Sequence, residues 1–437
     1  MNLSNLKSLF TDNGCKKVYV KTLSPNDNSK NQVYFGGNYE VLNILPISEI
    51  ITEEAGDWNK ERFKAKINFS WINDEGSVFQ APNAQLILYP KYPEVRFSGF
   101  LLGCKNAPSV LMRQRLEGRV LFLSTTNTGK VLGYVASPDS EIANEFNRTN
   151  ANSIHGIFSV IDLPKAVNNR QILIGELRRI HELGWINSKR LDSTGSVIDC
   201  HAPNCGGYTL EAELGITPNG YSEPDYMGWE IKQFGVNNFN SIKSKAITLM
   251  TPEPTDGLYK SKGAEYFVKA YGYKDKNGKP DRLNFGGIHK VGEKHHLTGL
   301  TMELIGFDFN SGKIRSANGK IALLDEENNE TASWSFSSML KHWNRKHNQA
   351  CYIPSLSESK PNRRYWYGSE IILGTGTDFQ LFLRQMAIGN IYYDPGIKLE
   401  NLSGAKPKIK KRSQFRIKSG YIPHIYTKNE VISVLQN

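Results

Sequence analysis

Short apolar runs broken by polar positions dominate the first third of the chain. They fall at 18–20, 32–35, 63–69, 85–89 and 119–123, separated by Gly, Pro, Asn and Asp. Alternation over a few residues bounded by turn formers predicts strands, and this spacing predicts a small barrel or sandwich. Residues 1–10 lack a continuous apolar stretch and predict a short helix, not a signal peptide. Polar stretches follow at 137–140 and 147–152, which makes the region up to about 168 a candidate linker. Beyond it the period lengthens. Leu173, Leu177 and Ile180 share one helical face, and Gly184 can end that helix. Thr377 and Gln380 have capping-box spacing, with Thr at the N-cap. Phe379, Phe382, Leu383 and Met386 then make an apolar stripe, stopped by Gly389, that is expected to buttress the sheet carrying the site. A chain of 437 residues exceeds one ordinary core. The division expected is 1–150, a linker over 151–167, and 168–437, in a mixed α+β protein.

One segment carries candidate chemistry. In Trp229-Glu230-Ile231-Lys232 the side chains should alternate as on a strand, so Glu230 and Lys232 leave the same face. Asp225 precedes a turn that Gly228 can make, which sets it across from that pair. Glu211 sits near the end of an upstream helix-like stretch. Nearby carboxylates repel and lose hydration unless a cation joins them. Magnesium takes oxygen ligands and keeps several waters. Asp225 and Glu230 are the expected ligands, with the Ile231 carbonyl as a third oxygen and Glu211 tuning that ion or a second one. A metal-bound water is a stronger nucleophile at neutral pH, and Lys232 can orient it or stabilise a developing oxyanion. A bare D-x4-E-x-K string also describes an ordinary solvated hairpin.

The context narrows this. Thr209-Leu210-Glu211, then Pro224-Asp225, then Glu230-Ile231-Lys232 with four residues between Asp and Glu resembles the PD-(D/E)xK nucleases, in the MutH-like branch that contains MvaI and BcnI. The likeness extends to residues 184–190, to Thr194-Gly195, to Ser333-Trp334-Ser335-Phe336 and to Gln414-Phe415-Arg416-Ile417, from about Asn168 onward. Extra residues around Cys200, His201 and Cys205 depart from the family pattern. The resemblance implies a C-terminal α/β restriction-endonuclease-like domain, magnesium, a monomer, and catalytic residues Glu211, Asp225, Glu230 and Lys232. Residues 18–27 with Gln32 and Val33 resemble the opening of the EcoRII effector domain, a DNA-binding pseudobarrel with two arms. One arm would run through Lys21, Ser24, Asn26, Asp27 and Gln32, and the other would include Arg96 and Lys105. Within the C-terminal domain, Arg416 stands at the family's F-R-I arginine and is expected to meet a guanine. Lys189, Arg190, Lys398, Lys410, Lys411 and Arg412 are further candidates for DNA contact, as bases or as phosphates.

Together the two resemblances imply a type IIE-like restriction endonuclease that cuts double-stranded DNA at CC(A/T)GG while its N-terminal domain holds a second copy of the site. The BcnI branch reads CC(C/G)GG, so the central base pair is open. A cognate cytosine or adenine methyltransferase is the partner expected in the host. Competing readings are a MutH-like nickase that needs partner proteins, and a catalytically silent two-headed DNA-binding protein.

Charge and cysteines fit this picture without deciding it. The net charge of +11 suits a polyanionic partner. Five unevenly spaced cysteines make no disulfide framework. Cys200, His201 and Cys205 lack a second half-site for zinc, so reduced loop thiols are expected. His289, His295 and His296 are read as a solvated loop or phosphate contact. With no long apolar run, an intracellular, cytoplasmic protein is expected.

Overall fold

The computed structural model describes residues 1–25, 31–53, 61–90, 94–149, 153–163, 169–217, 224–240, 242–275 and 278–436. The chain divides into two units. The first is Met1–Val167 with Ile314–Ala317, and the second is Asn168–Lys313 with Asn318–Asn437.

The first unit is built on two sheets. A seven-stranded sheet runs Ser153–His155, Phe158–Asp162, Lys17–Leu23, Arg119–Thr125, Val131–Ala136, Phe69–Ile72, Val78–Gln80. A five-stranded sheet runs Val33–Tyr34, Glu94–Ser98, Gln85–Tyr89, Arg62–Ile67, Ile47–Glu53. Alternation along these strands supplies the core. Phe97 of the smaller sheet packs on Phe69 of the larger at 5.0 Å between ring centres and on Phe35 at 5.1 Å. A second cluster covers Lys17–Leu23 and Arg119–Thr125 with Leu6 and Phe10 of helix Leu3–Asp12 and Ile142 and Phe146 of helix Glu141–Arg148. The stretch expected as a linker differs from that expectation. Phe158–Asp162 pairs antiparallel with Lys17–Leu23, Val160 opposite Tyr19. Its Phe158, Val160 and Ile161 are buried, a strand signal hidden behind the polar residues before it.

The second unit places the site. Its largest sheet runs Ile186–Asn187, Arg364–Tyr367, Gln349–Glu358, Glu370–Thr375, Lys428–Ser433, and Glu230–Gly235 pairs parallel with Gln349–Glu358, Glu230 opposite Ala350. Ile231, Cys351, Ile353 and Leu373 cover one side with Leu173, Leu177 and Ile180 of helix Asn169–Glu182. Gly184, at φ 67°, ends that helix as expected. Helix Phe379–Ala387 buries Phe379, Phe382, Leu383 and Met386. Its cap is Asp378, whose side chain accepts from Gln380 N at 3.0 Å, not Thr377. Thr377 is drawn inward instead, donating to Ile425 O at 2.6 Å and accepting from Trp343 Nε1 at 3.1 Å. The stripe packs on Trp343 of helix Phe336–His347 and on Phe415, so it buttresses that helix and its neighbouring strand. No helix among the described residues is long and apolar enough to cross a membrane.

Candidate active site

Helix Cys205–Glu213 is held at both ends of its register. A β-carbon on Gly206 would lie 2.8 Å from Gln233 Oε1, so glycine is what lets the helix approach strand Glu230–Gly235. Thr209 Oγ1 accepts from Lys189 N and donates to Lys189 O, both at 3.1 Å, tying the helix to strand Lys189–Leu191. Leu210 is fully buried. These contacts fix the rotation of the helix and thereby the direction of Glu211. Cys200 and Cys205 form a disulfide, with Cα atoms 5.7 Å apart, which corrects the expectation of reduced thiols and removes the thiolates a zinc site would need. Both cysteines sit in the hydrophobic cluster beneath the helix, a proximity that spacing alone does not reveal.

The turn that presents Asp225 is tight. Tyr226 and Trp229 exchange two backbone hydrogen bonds, of 2.9 and 2.8 Å, around Met227 at φ 48° and Gly228 at φ 87°. Two successive positive φ values define a type I′ hairpin turn, whose twist matches that of the strands it joins. Trp229 is buried and locks the turn onto the core. Asp225 Oδ2 then accepts from Ile231 N at 3.0 Å, facing the start of the strand. Glu230 opens the strand, 2 % exposed, and Lys232 donates to its Oε1 at 2.6 Å from the same face. Lys346 Nζ approaches that oxygen at 3.9 Å.

The three carboxyls titrate as one pocket. Burial raises Glu211 to about 7, with Asp225 and Glu230 adding and Lys232 and Lys346 opposing. Burial also raises Asp225, helped by Glu230 and opposed by the Ile231 amide and both lysines. For Glu230 burial pushes up, but Lys232, His347 and Lys346 outweigh it and hold the carboxyl below its usual value. Burial lowers His347 to about 3, so at neutral pH the lysines carry that effect.

The donor set fits a hard divalent cation. Glu230 Oε2 is buried and has no hydrogen-bond partner among the described residues, a costly state for a carboxylate oxygen unless a cation meets it. Asp225 stands beside it, and the Ile231 carbonyl lies on the same strand. Among the described residues no group of three His, Cys, Asp or Glu side chains is arranged to hold a metal. Glu211 is therefore coupled to Asp225 and Glu230 through charge without closing a three-carboxylate cage.

The expected DNA contacts differ in their surroundings. Lys21, Ser24, Gln32 and Arg96 line one cleft of about 230 Å³ in the first unit, with the buried Arg119 at its wall. Burial lowers Lys21, whose ammonium lies 6.0 Å from the Tyr34 ring centre. Lys105 is exposed and outside that lining, and Asn26 and Asp27 lie outside the described residues. Several others are held in ion pairs. Lys189 meets Glu213 at 2.5 Å, Arg96 meets Glu94 at 3.0 Å, Lys410 meets Glu400 at 2.7 Å, Lys411 meets Glu253 at 3.9 Å, and Arg416 meets Asp394 at 2.6 Å. Arg190, Lys398 and Arg412 are exposed and in no ion pair among the described residues. Of the three crowded histidines, His296 is exposed as expected, but His289 and His295 are buried. His289 is fully buried and stacks on His295 at 4.2 Å, and both rings meet the Thr298 hydroxyl.

Residues 174–426 match the model of the MvaI/BcnI restriction endonuclease family. The chain belongs to that family. It is thus a type II site-specific endonuclease, a hydrolase that acts on DNA. Two solved structures are similar to it. Restriction endonuclease MvaI in complex with cognate DNA substrate shares 20% identity over 62% of this chain and 99% of MvaI, with a TM-score of 0.46. MvaI without DNA shares 20% identity over 61% and 98%, with a TM-score of 0.35. No curated protein sequence matches the chain. For this member of the family, sequence reasoning missed Lys346 and His347. They lie far along the chain from the acidic motif, at the end of a helix, and only sheet pairing brings them to Glu230.

Proposed function

We propose that the chain makes magnesium-dependent double-strand cuts at CC(A/T)GG through the pocket of Asp225, Glu230, Lys232 and Glu211. The observation that carries this reading is the buried Glu230 oxygen left without a partner beside Asp225. Asp225, Glu230 and the Ile231 carbonyl would hold the cation. When bound, that cation supplies a water of lowered pKa and offsets charge on the phosphate. Lys232, fixed by Glu230 at 2.6 Å, keeps donors free to orient the attacking water. In the reaction the water oxygen bonds to phosphorus and the bond to the leaving deoxyribose oxygen breaks. The water gives up a proton, and the leaving oxygen takes one. Raised to about 7, Glu211 can hold a proton in the pocket at neutral pH until a cation displaces it.

The cleft lined by Lys21, Ser24, Gln32 and Arg96 supports a second DNA contact in the first unit, and we assign it a second copy of the site. The chain would act as a monomer, cutting the two strands in turn. Occupancy of the second site would stimulate cleavage by raising effective concentration or by releasing an inhibited state. A cognate methyltransferase would protect the host's own copies.

Purified protein, plasmid and magnesium test the reading. Linear fragments with fixed ends at CC(A/T)GG are expected. Ends at CC(C/G)GG would correct the central base pair. Nicks that need added proteins would favour the MutH-like reading, and shifted but unbroken DNA a silent binder.

A further inference from the structure

Helix Phe336–His347 ends just before strand Gln349–Glu358, which pairs with Glu230–Gly235 so that Ala350 lies opposite Glu230. Lys346 therefore lies four positions before the residue facing the buried carboxylate. Lys346 Nζ lies 3.9 Å from Glu230 Oε1, the oxygen that Lys232 meets at 2.6 Å. The two ammoniums converge on one atom but differ in state. Lys232 is hydrogen-bonded there and 20% exposed. Lys346 stands beyond hydrogen-bond reach, is 34% exposed, and makes no hydrogen bond among the described residues.

The neighbouring residue explains why Lys346 stays there. His347 is fully buried, stacks on Trp343 at 4.1 Å and meets Leu249 O through Nε2 at 3.1 Å. A carbonyl only accepts, so Nε2 carries a proton, and full burial disfavours a charge on the ring. The last helical turn is thus pinned by an uncharged anchor, and the adjacent lysine projects from a rigid element. Charge points the same way. Glu230 is already paired with Lys232 at 2.6 Å, so Lys346 is a second ammonium at the same carboxylate and is available to a further anion. A phosphodiester adds another negative charge, which grows at its non-bridging oxygens during attack.

We propose that Lys346 is a second catalytic lysine, whose ammonium contacts a non-bridging oxygen of the scissile phosphate. This rests on the pocket assigned under the proposed function. An ammonium is a compact point charge with three donors, suited to an oxygen that gains charge in the transition state.

The test uses the full chain with Lys346→Met, Lys346→Gln and Lys346→Arg, and Asp225→Ala as reference. Single-turnover cleavage of saturating plasmid is measured in magnesium, and binding to the same DNA in calcium. Both neutral variants are expected to cut about 100-fold more slowly or worse while binding within about threefold of wild type. Arg should recover at least about tenfold of the loss, since it restores charge. Two neutral variants guard against misfolding of either one. Neutral variants that cut within about threefold of wild type overturn the role of Lys346 alone. So does a loss that Arg leaves unrelieved, which marks a packing role. Wild-type protein that leaves DNA intact, or an Asp225→Ala variant that cuts normally, overturns the pocket itself and this inference with it.

Discussion

At the residue scale the account turns on Asp225 and Glu230. Asp225 accepts from the amide of Ile231, the second residue of the strand, and is assigned to the cation, so Asp225→Ala should lower cleavage by at least about 1000-fold. Binding to the same duplex in calcium should remain within a few fold. Equal losses in both measurements would recast Asp225 as a DNA contact. Met227 gives a second test. A side chain at φ 48° costs about 1–2 kcal/mol, and Asn tolerates that conformation better. Met227→Asn should raise stability by about 1 kcal/mol in denaturant titration and keep cleavage intact. The acidic residues were legible in the sequence because strand alternation and a glycine turn fix their directions within a few positions. Lys346 and His347 were not, since their approach to Glu230 depends on a parallel pairing between strands far apart in sequence. The unpartnered Glu230 oxygen likewise emerges only from burial.

At the scale of elements, the helix bearing Glu211 is aimed by Thr209. Thr209→Val keeps the shape and removes two hydrogen bonds to the Lys189 backbone. It should cost about 1–3 kcal/mol and slow cleavage, because the helix loses its clamp. Unaltered stability would mean that packing of Leu210 and Gly206 suffices. Periodicity made the helices at 169–182 and 379–387 readable, since their apolar stripes face a core. The cap of the second was misplaced by one residue, because Thr377 and Asp378 are both capping residues and only the buried Trp343 and Ile425 decide which turns inward. The strands at 153–155 and 158–162 escaped notice for a different reason. They follow polar, turn-rich sequence, and the second of them pairs with a strand that begins far away at Lys17.

At the scale of the whole chain, the net charge of +11 predicts that DNA binding weakens steeply with salt. A flat response would argue against phosphate contacts. Lys21→Ala should lower the ratio of duplex-stimulated to unstimulated cleavage by at least about fivefold, if its cleft holds a second site. An unchanged ratio would remove that assignment. Acid sensitivity follows from His289. Burial, with His295 adding, lowers it to about 3, against an unfolded value near 6.5. Its stabilising effect is complete above pH 6.5 and is lost as pH falls toward 3, at about 1.4 kcal/mol per pH unit. His289→Gln should flatten the dependence of the denaturant midpoint on pH between 6.5 and 4.5, and an unchanged slope would contradict it. The mixed α+β class was readable from composition and pattern. The buried histidines were not, because a crowded His-rich stretch reads as polar until its neighbours are placed.

The central claim is that Asp225, Glu230 and the Ile231 carbonyl hold the cation that cuts DNA. Anomalous diffraction from crystals of the protein with DNA and manganese tests it most directly. The account predicts a peak at about 2.1–2.3 Å from oxygens of all three. A cation bound elsewhere in crystals of an actively cutting enzyme, with Glu230 Oε2 still unpartnered, would contradict it.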